Sequence, residues 1–151
     1  MGKEADVILI VRGLSLAYLG VSAAGTAIAV RDDLPANFAN WDLAGDSVTR
    51  DFLIGGGTAL SAPLAFLVVF AGLLFLCGRS DRVGRIALVV LVVLAVAFVI
   101  GMAGEPVTRE VIDSPGEHID RTIVVIATIA LPVAIAAAGQ TAIQLHGRRE
   151  P

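Results

Sequence analysis

Few side chains in this sequence could do chemistry, and their spacing narrows the options. Arg12 opens an apolar run. A charge near membrane depth either serves a function or snorkels to the headgroups along its own aliphatic stem. Gln140 and Gln144 are four residues apart and share one helical face. With Arg12 they would form a polar inner layer, closed by interhelical hydrogen bonds or open to a solute. Glu110, Asp113, Glu117 and Asp120 have helical spacing, with His118 beside them. Carboxylates suit hard cations, but Pro115 and Gly116 interrupt that face, so a solvated acidic rim is the expectation. Gly55, Gly56, Gly57 and Thr58 lack the Gly-Lys-Ser/Thr ending of a phosphate loop. They would permit close packing or an unwound segment lining an outer vestibule. Cys77 is the single cysteine, which excludes an intramolecular disulfide and paired-thiol redox chemistry. His118 and His146 lie in or beside polar ends, where neither can serve as axial ligand to a haem inside a bundle. These residues call for no cofactor and no metal, and they name no nucleophile, base and orienter of an enzyme.

The elements that carry them are four long apolar stretches. The chain is 56% hydrophobic and 17% charged, against about 45–50% and 25% in soluble domains. Its mean hydropathy is +0.84. A soluble domain of 151 residues keeps too much wet surface to hide four such stretches. The expected fold is therefore an all-α integral membrane protein, a four-transmembrane-helix bundle forming a single membrane domain over 1–151. The spans are residues 7–30, 52–77, 86–103 and 122–145, joined by outer loops 31–51 and 104–121 and an inner loop 78–85. Each run is long enough to cross or nearly cross a hydrocarbon core of about 30 Å, and none alternates as a barrel strand would. The β-branched third span would favour strand in water, but in lipid the backbone must satisfy itself, and helix wins. No small-residue cleavage site follows the first run at signal-peptide distance, so that helix is read as retained.

Orientation follows from the distribution of Lys and Arg. The side with both termini and the 78–85 loop holds seven basic residues against four acids, a net +3. The other side holds four basic residues against ten acids, a net −6. Both termini are thus expected in the cytoplasm, with two acidic extracytoplasmic loops and the plasma (cytoplasmic) membrane as location. The small net charge of −3 argues against a nucleic-acid partner. Trp41, Phe38 and Leu34 predict an interfacial helix or cap in the first outer loop. Pro106, Pro115 and Gly116 predict a short helix and a turn in the second.

Gly13, Ala17, Gly20 and Ala24 fall on one face of the first span, where small residues let a second helix approach closely. Pro63 and Pro132 predict kinks near mid-depth in the second and fourth spans, with Ser61 and Thr128 near enough to help satisfy freed backbone groups. At an offset of 69 residues, 7 of the 29 positions from Asp51 to Arg79 match the fourth span, including Asp51 with Asp120 and Pro63 with Pro132. That pattern would fit a duplicated hairpin. The third span has no polar side chain from Ile86 to Ile100 and is expected to face lipid or pack. Two functions fit. One is a non-enzymatic accessory, assembly or homo-oligomeric subunit whose partners are the bilayer and other membrane subunits or its own copies. The other is an oligomeric channel or small-solute transporter using the Arg12, Gln140 and Gln144 layer.

Overall fold

The computed structural model describes residues 3–37 and 47–147. Among these residues the chain is all-helical, with six helices and no strand: α1 (Lys3–Arg31), α2 (Val48–Ile54), α3 (Leu64–Leu76), α4 (Arg82–Gly104), α5 (Pro106–Asp113) and α6 (Ile119–Gly147). Three of them, α1, α4 and α6, are long and apolar enough to cross a membrane. At 29, 23 and 29 residues they measure about 43, 34 and 43 Å.

Each long helix buries a seam with heptad spacing. In α1 the buried positions are Val11, Ser15, Tyr18, Ser22, Gly25 and Ala29. In α4 they include Gly84, Leu88, Leu91, Ala95, Phe98 and Met102. In α6 they include Val125, Thr128, Pro132, Ile135, Gly139 and Ala142. Steps of three and four average 3.5 residues, the period that keeps one stripe against a neighbour along a gently supercoiled pair. α6 is the central helix and packs along both α1 and α4, while α3 leans on α4. Two glycines allow close approach between segments distant in sequence. A Cβ at Gly25 would lie 2.5 Å from the Leu60 carbonyl oxygen, and one at Gly139 would run into the Val92 side chain.

The second expected span is not one helix. After α2 the chain leaves helical geometry over residues 55–63 and resumes as α3, only 13 residues long, or about 20 Å. Gly57 takes φ +99°, a region open to glycine and hostile to most side chains. Pro63 cannot donate to a preceding turn. It stands as the N-cap of α3 rather than as a kink inside a helix. Pro132, by contrast, lies buried inside α6. The two prolines paired by the 69-residue offset therefore occupy different local structures. The carbonyl deprived of its donor at Pro132 is that of Thr128, whose hydroxyl instead donates to the Val124 and Val125 carbonyls at 2.8 and 3.0 Å.

The short helix expected between the third and fourth spans is α5, with Pro106 in its first turn and a turn following it. Phe38, Trp41 and the cap expected around them lie outside the described residues, although α2 supplies a short helix just beyond. Reciprocal ion pairs tie the end of α1 to the start of α6. Arg31 Nη2 donates to Asp120 at 2.6 Å, and Arg121 Nη2 donates to Asp32 at 2.8 Å. Arg31 and Asp32 also pair with each other at 2.7 Å. Hydrogen bonds from Arg31 and then Arg121 hold the Asp32 carboxyl well below the usual carboxylate range.

Two expectations follow. Gly25→Ala should destabilise the folded protein by about 1–3 kcal/mol, because the clash is with backbone. Gly20→Ala, where a Cβ meets nothing within 4 Å, should be neutral or stabilising. Thermal unfolding in detergent reads both. For Asp32 the folded pKa lies below the unfolded one, so its contribution is present above the ordinary value of about 4 and is lost as pH falls below it. The melting temperature should therefore drop on acidification below about pH 4. Asp32→Asn should flatten part of that drop. A pH profile identical in the variant would remove the ion pairs from the account.

Candidate functional site

The break in the second apolar stretch has consequences for chemistry. Gly57, Thr58, Ala59, Leu60 and Ser61 are all buried, so their polar backbone needs partners inside the protein. Those partners are present. Gly57 N–H donates to the Asp51 carbonyl at 3.1 Å, Thr58 N–H to the Ser61 carbonyl at 2.9 Å, and Ala59 N–H to the Leu34 carbonyl at 3.3 Å. Leu60 N–H reaches the Thr58 hydroxyl at 3.3 Å. Thr58 also forms isolated bridges with Pro35 and Ser61. The segment is a built, non-helical loop held against α1 by the Gly25 notch.

Beside this loop lies a cavity of about 350 Å³. One wall is the loop itself, from Gly55 to Pro63; the other is α4, from Leu94 through Phe98 and Gly101 to Met102. Tyr18 of α1, Phe66 of α3 and Thr128 of α6 complete it, with Glu105 at the end of α4. Tyr18 and Phe98 also belong to an aromatic cluster that joins three helices. Tyr18 stacks on Phe98 with centroids 5.3 Å apart and meets Phe70 edge-on at 5.5 Å, while Phe70 and Phe98 are 5.6 Å apart. Such pairs add about 0.5–1.5 kcal/mol each beyond their burial, so the cavity wall is stiff on this side.

Two of the hydroxyls at the cavity donate within the protein. Ser61 Oγ donates to the Ala62 carbonyl at 3.2 Å, and Thr128 to α6 carbonyls. Glu105 differs from them. It is 6% exposed, and its Oε2 accepts the Asn37 N–H at 3.0 Å. Burial pushes its carboxyl up, and the Asn37 hydrogen bond opposes that rise. The arrangement can bind an apolar molecule with one suitably charged end.

The residues singled out from sequence lie elsewhere. Gly13, Ala17, Gly20 and Ala24 are exposed on the monomer, with open space where a Cβ would sit at Gly13 and Gly20. Within one chain, close helix packing uses Gly25 and Gly139 instead. Arg12 is half-buried, its guanidinium lying over Gly78. It lines an inner pocket of about 410 Å³ with Glu4, Arg79 and Ser80. Gln140 and Gln144 do not point into the bundle; both are exposed on α6. Among the described residues no hydrogen bond joins either to Arg12. The acidic face is divided as well, since Asp120 pairs with Arg31, and Glu110 approaches Arg121 at 3.8 Å. Among the described residues no three metal-binding side chains converge.

Sequence reading missed Tyr18 and Glu105. Tyr18 is the only tyrosine and the one phenol inside an apolar run, which was a usable signal. Glu105 is the first acid after the third span and directly precedes Pro106. Only the fold shows that it turns inward.

No family model matches this chain, and neither a curated protein nor a solved structure is significantly similar to it.

Proposed function

We propose that this chain is a four-span, non-enzymatic subunit of the cytoplasmic membrane that works by packing helices against other membrane subunits or its own copies. The single observation that carries this reading is the outward face of α1. Gly13, Ala17, Gly20 and Ala24 repeat at steps of four, three and four, the same heptad spacing as the buried seam of that helix. The two stripes are offset by two residues, which is about 200° around a helix. α1 therefore carries two packing surfaces on opposite sides, and its own chain covers one. Only 22% of its apolar window is buried within the monomer. In lipid, helices associate through close packing of small residues rather than through hydrophobicity, so this uncovered stripe suits a partner helix.

The fourth span in this reading is the α2, loop and α3 passage. α3 alone is too short to cross about 30 Å of hydrocarbon. Non-helical backbone is tolerated at membrane depth where protein encloses it, and the burial of residues 57–61 supports that passage. Charge supports both termini in the cytoplasm.

The second reading, a channel or small-solute transporter, is favoured by the same broken passage, because interrupted helices build solute sites in transporters. Against it, α4 offers no polar side chain from Ile86 to Ile100.

Two measurements test the proposal. Purified in mild detergent, the wild type should migrate as a complex larger than the 15.6 kDa chain with its bound detergent. Gly20→Leu should release the complex while leaving the monomer folded, and Val93→Leu on exposed α4 should not. A wild type that is monomeric and without a partner would overturn the assembly role. For topology, Ser114→Cys should react with an impermeant maleimide in intact cells, and Ser80→Cys should react only after lysis. The reverse pattern would invert the orientation.

A further inference from the structure

We propose that the cavity beside the broken second span is a binding site for a monovalent amphiphilic amine, its ammonium at Glu105 and its apolar body against Phe66, Phe98 and Leu94. This goes beyond the assembly role and does not rest on it.

The argument starts from charge. Among the described residues Glu105 is the only carboxylate lining the cavity, and it is 6% exposed. No Lys, Arg or His among the described residues lines the cavity. Among the described residues, one backbone N–H, from Asn37 at 3.0 Å, is the hydrogen bond that its carboxylate receives. A buried carboxylate with one neutral donor is poorly compensated. A cation that enters the cavity would supply what the protein does not. An anionic occupant would meet repulsion, and a neutral one would leave the carboxylate as it is.

Size and wall chemistry choose among cations. A divalent metal ion takes six or more oxygen ligands, and one carboxylate with the hydroxyls of Tyr18, Thr58, Ser61 and Thr128 does not provide them. About 350 Å³ lies within the range of sites for small organic molecules, about 300–1,000 Å³. Beyond Glu105 and the hydroxyls the walls are apolar and aromatic. Phe98 and Tyr18 are fixed by stacking on each other, so they present a preorganised apolar wall. Phe66 is half exposed and Ala97 is exposed, so the cavity opens sideways, where a molecule dissolved in lipid can enter. An amine carried by a free amphiphile and one carried by a lipid headgroup offer the same chemistry to Glu105.

The test uses the full-length protein in phosphatidylcholine nanodiscs and three probes of matched shape: phenylbutylamine, phenylbutanol and phenylbutyrate. Radiolabelled phenylbutylamine should bind saturably, one per chain, and more tightly than the alcohol, with the carboxylate weakest. Glu105→Gln keeps an acceptor for the Asn37 N–H and removes the charge. It should weaken amine binding by about tenfold or more and leave binding of the alcohol unchanged. Gly101→Leu should abolish binding of both, because a side chain there enters open space and fills the cavity while improving helix propensity. Adding phosphatidylethanolamine to the nanodiscs separates the sources. Competition assigns the site to a lipid headgroup amine, and its absence assigns it to a free amphiphile. Equal binding of amine and alcohol by the wild type, or undiminished amine binding by Glu105→Gln, would overturn the proposal.

Discussion

The satisfaction of backbone polar groups away from water is the constraint on which the rest of this structure depends. A continuous helix meets it automatically, and α1, α4 and α6 do so. The stretch between α2 and α3 does not, because three successive glycines and Pro63 deny it helical continuity. Each buried N–H there must find a carbonyl or hydroxyl, and Asp51, Thr58, Ser61 and Leu34 provide them. The loop must also be enclosed by the rest of the protein. Gly25 makes that possible, since any side chain on it would push Leu60 and the loop away from α1. The cavity is a by-product of the same solution: where helix is missing, side chains from α4 and α6 cannot fully close the gap.

The ion pairs at one end of the bundle solve a different problem. α1 and α6 are both 29 residues long and antiparallel, and a slip along a heptad seam costs little if the seam is made of small residues. Arg31-Asp32 at the end of α1 and Asp120-Arg121 at the start of α6 read as complementary dipeptides, each arginine reaching the opposite aspartate. A one-turn slip would break both. Arg121 and Asp32 are 15% and 16% exposed, so this pair is partly shielded from salt, and it fixes register more than it adds stability.

Much of the fold was legible in the sequence. The spans expected at 7–30, 86–103 and 122–145 lie within α1, α4 and α6, because sustained apolar runs leave helix as the one economical structure in lipid. The stretch 52–77 is not one continuous helix, for a physical reason: hydropathy measures transfer of side chains, whereas the break is set by backbone freedom at Gly55–Gly57 and by Pro63. The site was less legible. Periodicity tells which residues share a face but not what that face meets. Gly13, Ala17, Gly20 and Ala24 were correctly grouped, yet the monomer leaves them uncovered. Gly25, one position past Ala24, makes the close approach instead. Gln140 and Gln144 share a face as expected, and it is the outward one.

Two seams on one helix also constrain what the protein can be part of. The buried seam of α1 includes Tyr18, whose ring is a wall of the cavity and part of the aromatic cluster. The exposed stripe lies on the far side of the same helix. A partner packed on that stripe would press α1 toward α6 and the loop without touching the cavity. Because Gly25 already fits the Leu60 carbonyl with no slack, α1 cannot yield inward there. A helix held in one position offers a partner and a cavity ligand no second state to share, so packing on the stripe and occupancy of the cavity would be independent events.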